Sequence, residues 1–240
     1  ASPARIAGDG VLEVAGLGRY RGALELSLAS DGTLAVVNAV ALDDYLRGVV
    51  ASEMPASWAM EALKAQAVVA RTYAIATRKA GGPFDHYADV RSQVYRGIAA
   101  ETARTDAAIR ATRGEVVTYD GAPVPTYFFS SSGGRTESVE HVWGGAPQPW
   151  LVSVPDPTDE VAGNPWFRWR RTFPLREAER RLSGLVRGRL RAIRVARRGA
   201  SARVVTAQVV GSRGRTTVSG ATLQARFALP STWMRFAVRR

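Results

Sequence analysis

Glu53 stands in the run Ser52-Glu53-Met54-Pro55, between two segments of helical periodicity and just ahead of a proline that ends any helix. Beside apolar Val50 and Met54, desolvation favours the protonated form of its carboxyl group, whereas a nearby cation favours the carboxylate. Lys64 and Arg71 are seven residues apart and project from one face of the following segment. If the intervening loop folds that face toward Glu53, the carboxylate gains two cations, and such opposed influences are how a general acid is tuned. The same spacing also describes a solvated glutamate paired with Lys or Arg, and spacing alone favours that plainer reading.

Other chemistry is less supported by the residues. His86 and His141 are the only histidines and lie far apart, and neither sits at metal-ligand spacing, so two surface or hydrogen-bonded histidines are expected and no metal site. Asp85, Asp89 and Glu140 would complete a site only by folding together. Ser130, Ser131 and Ser132 lack the G-x-S-x-G elbow of a serine nucleophile. With Gly133 and Gly134 they read either as a plain tight turn or as backbone amides and hydroxyls gripping a polar ligand, and the residues leave both open.

The elements that must position these groups follow from periodicity. Residues 11–40 alternate apolar and polar positions with a turn at Ser30-Asp31-Gly32, a small β meander. Leu42, Tyr45, Leu46, Val49 and Val50 then form a helical stripe that ends near Ser52, with Asp43 and Asp44 at its N-terminal end. A second helix is expected from about Ser57 to Lys79, with Leu63, Ala67, Ala70 and Ala74 as a small-residue face. Residues 81–98 read as a long irregular excursion of the kind that is often functional. A helix over 101–112 closed by Gly114 and a hairpin around Asp120-Gly121, with strands 115–119 and 123–128, come next. After a Pro-rich passage from Pro147 to Pro165, a helix is expected near 175–182, strands near 190–196, 202–210 and 216–218, and a last helix over 221–228. The fold class is α+β: small mixed β-sheets, a helical core carrying the Ser-Glu-Met-Pro loop, and a C-terminal strand-and-helix subdomain. Residues 1–160 form the expected meander and the core that carries Glu53, and 161–240 a basic subdomain of the same domain.

The 240 residues carry a formal charge of +12 and no cysteine. Disulfides and thiolate metal sites are excluded, whereas the compartment is left open. The charge suggests an anionic partner, but almost all of it is Arg, as a codon bias would give, and no basic-region helix, RNP-like strand or zinc-finger spacing turns it into nucleic-acid readout. Solvated basic faces are the favoured reading. No apolar run is long enough to cross a bilayer, and the segment from Ala1 to Arg5 lacks the apolar core of a secretory signal.

In their order along the chain, several motifs resemble the SpoIID/LytB family of bacterial cell-wall proteins. They are Val40 through Pro55, Glu61 through Ala67, Ala70 through Ala74, Gln93-Val94-Tyr95-Arg96-Gly97, Ala111 through Val116, Tyr127 through Glu137, Val142-Trp143-Gly144 and Leu151 through Asp156. The resemblance is dense over residues 33–160 and fades to a general likeness that ends at Ser231-Thr232-Trp233. It implies a lytic transglycosylase that cuts the MurNAc-GlcNAc bond of peptidoglycan, preferring strands stripped of stem peptides, with Glu53 as the catalytic acid and base. The ordered motifs reverse the preference for a solvated Glu53.

By the same resemblance, Lys64 and Arg71 are expected to orient Glu53 or the sugar substituents. Gln93, Tyr95, Tyr127 and the turn Ser130, Ser131, Ser132, Gly133 and Gly134 are expected to wall the glycan groove. Some members carry a Cys/His pair that binds zinc, but here Asp89-Val90-Arg91-Ser92 and Phe129 occupy those positions, so neither metal nor other cofactor is expected. Many members continue past Ser-Thr-Trp into a Gly-rich stretch that does not follow here, which implies either a truncated chain or a differently completed groove. The expected partners are peptidoglycan glycan strands in the cell envelope or outside the cell, with a cell-wall amidase second, because some members are described as amidase enhancers. Nucleic acid is not an expected partner.

Overall fold

The computed structural model describes residues 3–29, 31–79, 81–160 and 164–238. Ser30 of the expected turn and residues 161–163 of the Pro-rich passage lie outside them. By its internal contacts the chain separates into two compact units, residues 1–128 and 129–240, whereas composition suggests a change near residue 160.

The first unit opens with the expected meander, an antiparallel sheet of β1 (Ala4–Val14), β2 (Gly18–Leu28) and β3 (Leu34–Ala39), with an irregularity between Ala7 and Val11. Helix α1 (Leu42–Glu53) follows, its first turn carrying Asp43 and Asp44 where the helix dipole favours negative charge. It stops where Pro55 requires, and Met54 N–H closes the last turn on Val50 O. Helix α2 (Met60–Ala76) buries the expected small face of Leu63, Ala67, Ala70 and Ala74. Helix α3 (Ala103–Ala111) is capped by the Thr102 side chain, which accepts from Thr105 N–H. Leu46, Val49 and Val50 of α1 pack with Ala67 and Ala70 of α2 and Ile109 of α3, and burying a side chain such as Leu46 contributes about 2 kcal/mol.

The expected hairpin is shorter than its alternation suggests, with β4 (Thr118–Tyr119) and β5 (Ala122–Pro123) flanking Asp120-Gly121, both at positive φ. Pro123 and Pro125 lack the N–H that a longer ladder needs.

In the second unit, a four-residue α4 (Val139–Val142) and α5 (Leu175–Arg181) precede an antiparallel sheet of β6 (Leu190–Arg198), β7 (Val204–Gly211) and β8 (Gly214–Ser219), and α6 (Gly220–Phe227) closes the order. The core gathers Ile193, Ala207, Val209 and Val218 from one sheet face with Leu182, Leu223 and Phe227. Glu137 ties this unit together. Its carboxylate accepts from the N–H groups of Ser138 (2.9 Å), Ala200 (3.0 Å) and Ser201 (3.3 Å) and from the Ser201 hydroxyl (2.6 Å), and His141 Nδ1 lies 3.1 Å away.

Burial alone would raise the Glu137 pKa, but the bonds from Ser201, His141 and Ser138 outweigh it and hold the value below the ordinary 4.5. A depressed folded pKa means that this stabilisation is complete above the unfolded value and is lost as pH falls through the folded one. Melting at pH 7 and pH 3 is therefore expected to show Glu137→Gln less stable at pH 7, with part of the wild-type acid loss missing. An acid loss identical to wild type would contradict this.

Candidate active site

Glu53 is the last residue of α1, half-buried, and its Oε1 accepts a 2.7 Å hydrogen bond from Val94 N–H. Among the described residues Oε2 has no hydrogen-bond partner, so one oxygen is pinned and the other is open.

The segment that supplies Val94 N–H is itself fixed. Gln93, 1% exposed, donates from Nε2 to Ala70 O of α2 (3.3 Å) and accepts from the Tyr45 hydroxyl of α1 (3.3 Å). Burial, followed by the nearby Tyr73, Tyr95 and Glu53, pushes the Tyr45 hydroxyl far above the usual phenol range, so it stays a donor. On the other side of Val94, the Tyr95 hydroxyl donates to Asn38 Oδ1 of β3 (2.7 Å), and burial first, then Tyr20 and the carboxylates of Glu101 and Asp44, push its pKa up to about 12. Gly48 of α1 makes room for this ring: a Cβ there would lie 2.6 Å from Tyr95 Cε2 and 3.2 Å from Gly97 N. Because Asn38 anchors Tyr95, Gly48→Ala is expected to displace residues 93–97. It should cost about 1–3 kcal/mol by overpacking, and a melting curve matching wild type would contradict that.

An array of rings continues from this cluster. Tyr20 and Tyr45 each neighbour Tyr95 (centroids 6.1 and 5.1 Å), His86 stacks on Tyr45 (6.1 Å), and Tyr73 links His86 (6.2 Å) to Tyr127 (6.0 Å). A cleft of about 810 Å³ runs beside the array, lined in part by Tyr20, Tyr45, Tyr95, His86 and Asn38; Glu53 is not among its lining residues.

The two cations expected at Glu53 are engaged elsewhere. Lys64 Nζ pairs with Glu61 at 2.7 Å on its own helix. Arg71, 2% exposed, donates from Nη1 to Thr112 O (2.8 Å) and Glu115 O (3.2 Å) and from Nη2 to Ile109 O (3.3 Å), with Asp43 Oδ1 at 3.6 Å. These carbonyls belong to the end of α3 and the segment beyond it, where helix geometry leaves acceptors unpaired, so Arg71 caps one helix from another. Neither cation forms an ion pair with Glu53 among the described residues.

Ser130, Ser131, Ser132, Gly133 and Gly134 belong to the second unit. There Ser131 Oγ and Gly133 N–H donate to Asp159 Oδ2 (2.8 and 2.7 Å), and Ser132 Oγ donates to Asp156 Oδ2 (2.8 Å). Gly133, at φ +74°, lies against the Trp233 ring, where a Cβ would come within 2.9 Å of Cε3. Arg203 covers the same ring at 5.3 Å and donates to Ser132 O (2.6 Å). The hydroxyls of Ser131 and Ser132 are thus engaged by Asp159 and Asp156 within the second unit, and Ser130 is exposed.

Zinc does not fit the residues present. His86 Nε2 lies 2.9 Å from Ala74 O, His141 is held at Glu137, the chain has no cysteine, and among the described residues no three potential ligands gather.

Residue types alone did not single out Val94, which acts through its backbone and leaves no side-chain signature. Tyr45 was visible only as part of an apolar stripe, and Tyr73 only as part of a motif.

Residues 30–119 match the family model SpoIID, described as stage II sporulation protein. Stage II sporulation protein D of Bacillus subtilis is 35% identical over 163 residues, covering 61% of this chain and 47% of that protein. Its counterpart in Bacillus amyloliquefaciens is 32% identical over 195 residues, 74% of this chain and 56% of that protein. An amidase enhancer of Bacillus subtilis is 40% identical over 119 residues, 49% of this chain and 16% of that protein. The chain thus spans from about a sixth to just over half of these relatives' lengths. The Ser-Glu-Met-Pro turn and the loop that clamps it both fall inside the matched segment, so over residues 30–119 the chain is SpoIID-like.

Proposed function

We propose that the protein is an extracytoplasmic peptidoglycan lytic transglycosylase in which Glu53 is both general acid and general base. The observation that carries this reading is the carboxylate at the end of α1, with Oε1 held by Val94 N–H and Oε2 unpartnered. Protonated on Oε2, Glu53 gives its proton to the glycosidic oxygen as the MurNAc-GlcNAc bond breaks. The resulting carboxylate then takes the proton of the muramyl C6 hydroxyl as that oxygen closes onto C1 in a 1,6-anhydro ring. One carboxylate suffices, because the substrate supplies its own nucleophile, unlike hydrolases with paired carboxylates. The exposed Tyr127 and the neighbouring ring array offer flat apolar faces for sugar rings.

The test is incubation with purified glycan strands freed of stem peptides. Soluble fragments should appear with the wild-type protein and not with Glu53→Gln. No fragments from either would overturn the enzymic reading and favour a second one, a wall-bound modulator of an amidase, which is motivated by the likeness to an amidase enhancer and by the basic second unit. That second reading predicts stimulation of a purified cell-wall amidase that survives Glu53→Gln.

A further inference from the structure

The charge of this chain is divided sharply between its two units. Residues 1–128 hold 13 Lys and Arg against 14 Asp and Glu, a net of −1, whereas residues 129–240 hold 20 Arg against seven carboxylates, a net of +13. A codon bias toward Arg acts on the whole chain and explains the choice of Arg over Lys, but it does not remove acids from one half only.

Part of this excess lies on one face of the β6–β7–β8 sheet. Ile193, Ala207, Val209 and Val218 point into the core. The alternate positions point outward, and the register aligns them in rows: Ala192, Val210 and Arg215; Arg194, Gln208 and Thr217; Arg197, Thr206 and Ser219. Arg194, Arg197 and Arg215 are exposed, and among the described residues none has an ion-pair or side-chain hydrogen-bond partner. Arg194 and Arg197 stand in neighbouring rows, roughly 7 Å apart because β6 bulges between Val195 and Arg197, and Arg215 lies two strands away, roughly 10 Å across the sheet. Three free guanidinium groups among Thr206, Gln208 and Thr217 form a flat array of cations and neutral hydrogen-bond donors.

We propose that this open sheet face binds a phosphodiester-linked anionic polymer of the cell wall, through Arg194, Arg197 and Arg215. The choice of a wall polymer rests on the cell-wall reading above; the choice of a polyanion rests on the charge and geometry of the face. Guanidinium groups pair with phosphate oxygens through two parallel N–H donors. Strands β6, β7 and β8 contain no aromatic residue on which bases would stack, which disfavours single-stranded nucleic acid. The outward rows contain no large apolar side chain to enter a bilayer, with Val210 the bulkiest, which disfavours a membrane surface.

The test compares the 240-residue wild-type chain, Arg194→Gln/Arg197→Gln/Arg215→Gln, and a control with the same charge loss at the exposed Arg170, Arg176 and Arg180. Binding to purified poly(glycerol phosphate) is followed at several salt concentrations. The sheet triple variant should lose at least about tenfold in affinity, and its log–log salt slope should fall by about 2–3, near 0.7–0.9 per phosphate contact released. The control should change by less than about twofold, and thermal melts should coincide for all three proteins. Equal losses in both variants, or none in either, would overturn the proposal. So would equal or tighter binding, through the same arginines, to duplex DNA or to vesicles of anionic phospholipid. Glu53→Gln should bind the polymer as wild type does, so failure of the catalytic assignment and failure of this one are separable.

Discussion

Glu53→Gln is expected to lower the rate of glycan cleavage by at least about 10²–10⁴-fold while leaving the fold intact. The amide oxygen of Gln can still accept the Val94 N–H bond that Oε1 accepts at 2.7 Å, so the loop stays clamped and only the transferable proton is removed. Glu53→Ala makes the contrast: it removes the acid and also strands Val94 N–H without its partner, adding about 1–3 kcal/mol of instability. Comparing the two variants by activity and by melting temperature separates chemistry from scaffold. Retained cleavage in Glu53→Gln would sink the assignment of Glu53, and a large fall in its melting temperature would show that the carboxylate is structural.

The second large effect is expected at Arg71. Its guanidinium serves the carbonyls of Ile109, Thr112 and Glu115 from a position 2% exposed to solvent. Arg71→Met keeps most of the aliphatic stem and removes every donor, leaving these acceptors without that partner at the end of α3. The first unit is expected to lose about 1–3 kcal/mol, read in urea or thermal unfolding. Lys offers a point charge on a single nitrogen and cannot reach three carbonyls with the same fork, so Arg71→Lys should recover only part of the loss. If Arg71 instead acted by touching substrate, Arg71→Met would cost cleavage activity and leave the melting curve unchanged.

Residue patterns and structure part company at identifiable places. The stripe from Leu42 to Val50 and the proline at 55 were enough to place Glu53 at a helix C-terminus or in the loop just beyond it, because both act through local sterics and one apolar face. The meander and the strands of the second unit were legible for the same reason: alternation with period two reports one buried face. The environment of Arg71 was not legible. Seven residues is close to two helical turns, which correctly puts Lys64 and Arg71 on similar faces of α2, but the surroundings change along the helix from solvent to the end of α3. A distance along the chain cannot report that change. The clamp on Glu53 was invisible because its donor is a backbone N–H, which every residue but proline has. The ring array from Tyr20 to Tyr127 joins residues more than a hundred positions apart, and only the fold brings them together.

The most direct test of catalysis by a lone carboxylate is the mass of the newly formed sugar ends when purified protein digests peptide-free glycan strands. Closure by the substrate's own C6 hydroxyl leaves 1,6-anhydromuramyl ends, each lighter by one water than a hydrolysed end. Anhydro products from the wild type, absent with Glu53→Gln, are the expected result. Reducing ends carrying the full water mass would contradict it and mark the protein as a hydrolase with a second, unrecognised catalytic group.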